Sequence, residues 1–383
     1  MPAARGRLWW GLAAAAALVA AACSSSTGPQ PQLANPQQLS ANLQTVSGVV
    51  TSPTFNSFGA LRTASGSPVA APMAAGALLG AAAIAPPATS THPSAGAPAR
   101  LQALRLAAAS LGSGIIVASV IPPSQLGTTY IWDVTTHAYI AQSGGPANGV
   151  RVILYAVNGS DQVIEPTTAI GYVDLLDEST TSTNTLHVLV YGGTPATPGT
   201  KYADYKVSGT VTGSPATAFS ASATGFVTDG THTLTFNGTF SATQLTTTSP
   251  SVQIAVTWTL DNPAVSVTLS ETVAASGTNN LTLTIHLAET YGGETVALDG
   301  TIAIVVSPQS VTANLTVSVN NQTFATIQGT ANATSNGIQI VHADGSALSS
   351  AELAALSTAF NLPDALEKAI ADLFHPCERF MGA

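Results

Sequence analysis

The sequence predicts a mainly β fold: an antiparallel meander curled into a half-open or closed barrel-like sheet, with an N-terminal helix and a C-terminal helical hairpin packed on it. The chain of 383 residues is 45% hydrophobic but only 8% charged, with fifty threonines and three lysines. This composition favours strands and excludes the basic surface of a nucleic-acid-binding protein. Between residues 127 and 342, roughly fourteen β-like runs are separated by short turn signals, which indicate antiparallel pairing.

The runs after residue 207 alternate strictly between apolar and polar residues. In one of them Val252, Val256 and Leu260 fall on one face, while Thr257 and Thr259 fall on the other. This period of two predicts one face toward a core and one toward water. Four glycines, each followed by threonine, continue the apolar frame and predict bends inside strands. They are Gly209, Gly238, Gly300 and Gly329, and the 29-residue spacing within each pair suits a repeated hairpin, with chance as the alternative.

The N-terminus has the order of a secretory signal peptide. Arg5 and Arg7 precede an apolar stretch, residues 8–19, that is too short to span a membrane, and a run of alanines leads to Cys23. This segment resembles a bacterial lipoprotein precursor, with Leu18, Val19 and the alanines in the place of that family's lipobox. The family's commonest pattern has Leu three positions before the cysteine, where this chain has Ala.

The resemblance covers only those residues, and it implies acyl chains on Cys23 that anchor the protein in the cell envelope. Ser24 directly after the cysteine implies the outer membrane, if the source has one. The alternative is an ordinary secreted protein cut between Ala20 and Ser24. With Cys23 acylated, Cys377 is the one remaining thiol, and it is either a small buried residue or the site of an intermolecular disulfide.

Charge and composition divide the mature chain. Residues 23–132 contain three arginines and no carboxylate, whereas residues 133–383 contain nineteen acids and five bases. We assign residues 1–22 to the signal peptide, 23–66 to the lipidated cysteine and a flexible linker, 67–113 to an Ala-rich, partly helical segment, 114–343 to the β domain and 344–383 to the helical hairpin.

Three segments outside the strands are predicted to be helical. Val69 to Pro86 is apolar but interrupted by proline, which favours a docked or interfacial helix over a membrane span. Pro98 to Leu111 has an apolar stripe at helical spacing and is the predicted N-terminal helix on the sheet. At the C-terminus Ser349 and Glu352 form a capping-box pattern ahead of Leu353, Leu356 and Phe360, and a second helix follows from Pro363.

One group of residues is a candidate ligand site, because neighbouring antiparallel strands would bring aromatics, a carboxylate and an arginine together. We expect an ion pair between Asp133 and Arg151 there, which either stabilises the fold or forms part of a ligand site. Asp174, Asp177 and Glu178 lack the spacing of a calcium loop and are predicted to form a solvated turn. The predicted site residues are Trp132, Asp133, His137, Tyr139 and Arg151, with Tyr130 and Tyr155 beside them.

The chain has no phosphate-binding loop, no GxSxG nucleophile motif, no HExxH and no CxxC, so we expect no cofactor, no metal and no catalysis. The sequence favours an envelope lipoprotein with a structural or partner-binding role. The alternative is a carrier of a hydrophobic ligand such as a lipid, because the body resembles, at the level of fold alone, envelope lipoproteins that hold acyl chains in a half-barrel. A transmembrane barrel is a third interpretation, but the sequence lacks the aromatic girdles that such barrels have.

Overall fold

The structure is a computed structural model, and it describes residues 32–49 and 120–358 with short gaps at 159–161, 214–216, 245–246, 278–279, 306–307, 309, 333 and 336. Several predictions lie outside the described residues. These are the signal peptide, Cys23, the helices at Val69 to Pro86 and Pro98 to Leu111, the second half of the C-terminal hairpin and Cys377.

The described part of the chain contains fifteen strands in one sheet, preceded by a helix and a short 3-10 turn at Pro123–Gln125. The strands are β1 Thr128–Asp133, β2 Ala138–Ser143, β3 Gly149–Tyr155, β4 Ala169–Asp177, β5 Asn184–Thr194, β6 Thr197–Thr212, β7 Ala218–Thr228, β8 Thr233–Thr243, β9 Ser251–Leu260, β10 Val265–Ser276, β11 Asn280–Tyr291, β12 Glu294–Val305, β13 Ser310–Val319, β14 Gln322–Asn332 and β15 Gln339–His342.

The strand order confirms a mainly antiparallel meander. From β3 to β15 each strand pairs with the next one along the chain, while β1 pairs with β3 in parallel and β2 lies beyond β1. The sheet is not closed into a barrel, because its two ends, β2 and β15, do not pair with each other. The closed form of the prediction is therefore wrong.

The two faces of the sheet differ as the alternation predicts. On β10 the side chains of Val265, Val267, Leu269, Glu271 and Val273 are buried, and the alternate residues between them are more exposed. Antiparallel registers align the buried positions of neighbouring strands into rows that run across the sheet. We call the apolar side the inner face and the other side the outer face.

The four predicted mid-strand glycines lie inside β6, β8, β12 and β14, so one intervening strand separates the two glycines of each pair. Two of them need glycine for their backbone. Gly300 has φ +143° and Gly329 has φ +132°, and a Cβ at either position would clash with a backbone carbonyl of a neighbouring segment. At these two points neighbouring backbones approach more closely than a residue with a Cβ would allow.

A helix, α1, runs from Pro36 to Val49 inside the range that the sequence analysis assigned to a flexible linker, which makes that assignment wrong for these residues. Leu39, Leu43 and Val46 are spaced as one helical face, and each is at most 1% exposed. The Asn35 side chain accepts a hydrogen bond from the Gln38 amide and caps the first turn. The helix packs on the inner face over β8 and β10.

The C-terminal capping box is present. The Glu352 carboxylate accepts a hydrogen bond from the Ser349 amide, and the Ser349 hydroxyl accepts one from the Glu352 amide, ahead of a helix over residues 350–358. Leu356 is buried, but Leu353 is 39% exposed, so the predicted apolar stripe holds only in part. Neither this helix nor α1, the two that the described residues contain, is long and apolar enough to cross a membrane.

Candidate functional site

Three of the predicted site residues come together at the β1–β2 end of the sheet. The Trp132 Nε1 donates a hydrogen bond to Glu165 Oε1 at 2.9 Å, and His137 Nδ1 lies 2.9 Å from the same oxygen. The Trp132 and Tyr139 rings meet edge to face with centroids 5.6 Å apart. The Tyr139 hydroxyl donates to the carbonyl of Ile153 on β3, and burial raises the pKa of Tyr139. This arrangement fixes the aromatic rings.

Asp133 does not join the other predicted site residues. Its carboxylate accepts hydrogen bonds from the Thr136 hydroxyl and the Thr135 amide, which lower its pKa, and it thereby caps the exposed β1–β2 turn. The predicted pair with Arg151 is wrong. Because β1 runs parallel to β3 with Thr129 opposite Arg151, Asp133 lies four residues further along the strand.

Arg151 on β3 pairs with Asp174 on the neighbouring strand β4. Its Nε and Nη2 atoms donate to the two carboxylate oxygens, each at 2.7 Å, and its guanidinium lies 4.7 Å from the centroid of the Tyr172 ring. Asp174 is only 7% exposed, so the prediction of a solvated turn is wrong for this residue. A two-point contact of this kind holds both side chains in one geometry.

The next row centres on His187 of β5. Its Nδ1 lies 2.8 Å from Glu178 Oε1 and its Nε2 lies 2.7 Å from Asp204 Oδ1. Both carboxylates also bind lysines, Glu178 with Lys206 at 2.6 Å and Asp204 with Lys201 at 2.8 Å. His187 therefore lies between two carboxylates, each of which also accepts a hydrogen bond from a lysine ammonium.

The pKa values of the two carboxyl groups follow from these contacts. The hydrogen bond from Lys206 is the largest influence on Glu178 and lowers its pKa, and His187 adds to it. Burial alone would raise the pKa of Asp204, but hydrogen bonds from Lys201 and His187 outweigh it and the pKa is lowered. Both carboxyl groups are therefore ionised at neutral pH.

Two tyrosines connect these ion pairs. Tyr172 and Tyr191 face each other across β4 and β5, with ring centroids 5.0 Å apart and planes within 18° of parallel. The Lys201 ammonium lies 5.6 Å from the Tyr191 ring, as the Arg151 guanidinium lies near Tyr172. Cations near both rings and a stacked pair between them make one continuous layer.

We call this layer the outer-face patch. It contains every lysine and arginine of the described part of the chain, and it consists of Arg151, Tyr172, Asp174, Glu178, His187, Tyr191, Lys201, Asp204 and Lys206. On β8 to β14 the outer face is almost entirely Thr, Ser, Asn, Gln and Ala, apart from His286 and Asp299, which are hydrogen-bonded to each other. Among the described residues, no group of three or more His, Cys, Asp or Glu could hold a metal ion.

The sequence pattern did not predict most residues of this patch as site residues. His187, Asp204 and Lys206 stand on the polar frame of β5 and β6, a signal that marks their face but not their partners. The register decides the partners, and it places His187 opposite Lys206 and Leu189 opposite Asp204. Glu165, which joins Trp132 to His137, lies in a loop that carries no periodic signal.

The inner face holds a second unusual feature. Trp258 Nε1 and both carboxylate oxygens of Glu289 are buried and have no hydrogen-bond partner. Burial raises the pKa of Glu289 to about 8, so its carboxyl is mostly protonated at neutral pH. Nearby Glu294 differs, because it accepts hydrogen bonds from the Tyr291 hydroxyl at 2.5 Å and from the Ala34 amide at 2.9 Å.

In the described part of the chain, the fold is a large open, mostly antiparallel sheet with a buried apolar inner face and a charged, aromatic patch on the outer face. No protein-family model, no curated protein and no solved structure matches the chain.

Proposed function

We propose that the protein is an exported cell-envelope lipoprotein, anchored by acyl chains on Cys23, that acts by binding a partner protein and not by catalysis. The export and anchoring steps rest on the sequence of the N-terminus, where basic residues, a short apolar stretch and alanines precede the cysteine. Labelled palmitate should enter the protein in its own host and should not enter the Cys23→Ser variant. Equal labelling of both would contradict the anchor.

The outer-face patch carries the proposal of partner binding. Tyrosine and arginine are the residue types most enriched at the energetic centres of protein interfaces. Here Arg151 is held by Asp174, and Tyr191 by Tyr172 and Lys201, so the side chains are ordered before a partner arrives. Preordered side chains reduce the entropy cost of association. Each acidic and basic group of the patch is bonded to another side chain, which suits a recognition surface better than proton transfer.

Site-specific photo-cross-linking in the host tests this role. A photoreactive phenylalanine analogue replaces Tyr191 in the patch or, as the matched control, Thr284 on the neutral outer face of β11, which is exposed. We expect one discrete cross-linked product from position 191 and none from position 284. Equal products from both positions, or none from position 191, would contradict a partner site at the patch.

A second candidate function is the carriage of a hydrophobic ligand on the inner face. The unpartnered polar atoms of Trp258 and Glu289 favour it, because a bound molecule would satisfy them. Native mass spectrometry of protein purified from its own host tests it directly. A co-purifying mass that organic extraction identifies as lipid supports carriage, and a clean protein mass contradicts it.

A further inference from the structure

Trp258 and Glu289 belong to the same row of the inner face. The register places Trp258 of β9 opposite Val267 of β10, and Val267 opposite Glu289 of β11. All three side chains are at most 1% exposed. The two buried polar groups without partners on these strands are therefore separated by one short aliphatic residue.

The spacing of strands converts this register into distance. Neighbouring strands lie about 4.8 Å apart, so the Cα atoms of Trp258 and Glu289 are about 10 Å apart. Both side chains project from the same face, and both are longer than the valine between them. The indole N–H and the carboxyl do not bond to each other, and a small polar group placed over Val267 is within reach of both.

The chemistry of the two groups limits what that polar group can be. The indole N–H only donates a hydrogen bond, so its partner must be an acceptor. A protonated carboxyl donates one hydrogen bond and accepts another. A carbonyl or carboxyl oxygen accepts from both groups at once, whereas an ammonium or a metal cation offers nothing to the indole.

The surroundings of the pair are mostly hydrocarbon, and the nearest polar neighbours, Tyr291 and Glu294, are hydrogen-bonded to each other. Leu287 precedes Glu289 on the same face of β11, Leu269 continues β10, and Val296 lies opposite Glu289 on β12; all are buried. An oxygen head group without charge, attached to an acyl chain, matches a pair of polar groups set in an apolar face. Leaving both groups without a partner costs stability, since each buried unsatisfied group is unfavourable by about 1 to 3 kcal/mol.

We propose that Trp258 and Glu289 bind the carboxyl or ester carbonyl of an acyl lipid, with the hydrocarbon chain against the inner face. The proposal rests on the second candidate function, carriage of a hydrophobic ligand, and it names the ligand class and the two residues that hold its head group. Trp258 Nε1 donates to the carbonyl oxygen, and Glu289 donates to the same oxygen or exchanges two hydrogen bonds with a carboxyl head.

A fluorescent fatty acid, cis-parinaric acid, is the probe for the test. It is titrated into the purified full chain after endogenous lipid has been removed on a lipophilic resin. We expect Trp258→Phe, which keeps an aromatic ring, and Glu289→Met, which removes the carboxyl, each to weaken binding about tenfold. Glu289→Gln keeps a donor and an acceptor and should bind within about threefold of the native chain. Leu287→Met is the control and should bind like the native chain.

Two further readouts separate a ligand role from a structural one. Glu289→Met should raise the melting temperature of the lipid-free protein while it weakens probe binding, because it removes a buried unsatisfied group. Diphenylhexatriene, a hydrocarbon without polar atoms, should bind all variants equally. The proposal is overturned if native protein binds no parinaric acid, or if both Trp258→Phe and Glu289→Met bind it like the native chain. If diphenylhexatriene also fails to bind, carriage of a hydrophobic ligand fails with it.

Discussion

Glu289→Gln in lipid-free protein should stabilise the fold at neutral pH and have little effect at acidic pH. The Glu289 carboxyl is 1% exposed and has no hydrogen-bond partner, so burial raises its pKa from 4.5 to about 8. A raised folded-state pKa means that the unfolded chain releases the proton first as pH rises. Stability linked to this group is therefore complete below pH 4.5 and is lost as pH rises toward 8.

The size of the effect follows from the pKa difference. Each pKa unit corresponds to about 1.4 kcal/mol, so keeping the folded carboxyl protonated at pH 7 costs about 3 kcal/mol relative to the unfolded chain. At pH 5 the same cost falls to about 1 kcal/mol. Glutamine has no proton to lose and does not incur this cost. Any difference in packing between the amide and the acid is independent of pH and cancels in the comparison.

Urea denaturation of the native chain and Glu289→Gln between pH 5 and pH 8 measures this difference. We expect the gain in free energy of unfolding from the substitution to be larger by about 2 kcal/mol at pH 7 than at pH 5. Glu165→Gln is the control, because hydrogen bonds from Trp132 and His137 lower the pKa of Glu165 and reverse the sign of its pH dependence. A gain for Glu289→Gln that does not change with pH would show that the folded carboxyl is already ionised and would refute the reasoning.

Three other substitutions test the packing. Arg151→Met should lower the free energy of unfolding by about 3 kcal/mol, because it leaves the buried Asp174 carboxylate without a partner. Adding Asp174→Leu should restore most of this lost stability in the same urea assay. A double variant no more stable than the single one would contradict this. Leu43→Ala should cost about 3 kcal/mol if α1 packs on the sheet, and a loss below about 1 kcal/mol would contradict that packing. Gly300→Ala should lower the melting temperature much more than Gly277→Ala, since both glycines have positive φ but only a Cβ at Gly300 meets backbone; equal effects would contradict a close approach.

Much of the sheet could be predicted from local pattern. The alternation of Val252, Val256 and Leu260 with threonines, the turn signals and the mid-strand glycines all act within a few residues, and the structure contains these strands and glycines. The helix α1 was missed although Leu39 and Leu43 have helical spacing, because the Ser, Gln and Pro residues around it suggested a linker. Its stability comes from burial against β8 and β10, a contact that no local pattern contains.

The candidate sites depended on pairings that are distant in the chain. Arg151 was expected to pair with Asp133 because β1 and β3 were assumed to be antiparallel, but the parallel register removes Asp133 from reach and Asp174 takes its place. Trp258 shares the period-two frame of Val252, Val256 and Leu260, which predicts an apolar face, and it is buried there. Nothing in the sequence put it in one row with Glu289, since 31 positions and two turns separate them.

The sequence by itself determined the mainly β fold class, the existence of an apolar and a polar face, and the glycines that lie inside strands, because a period of two and a glycine act on the backbone nearby. Only the tertiary structure decided that the sheet stays open, that β1 lies parallel to β3, and which charged or polar groups share a row. Those choices depend on register, and each register is set by many weak contacts summed along two whole strands. The outer-face patch and the Trp258–Glu289 pair both depend on these registers.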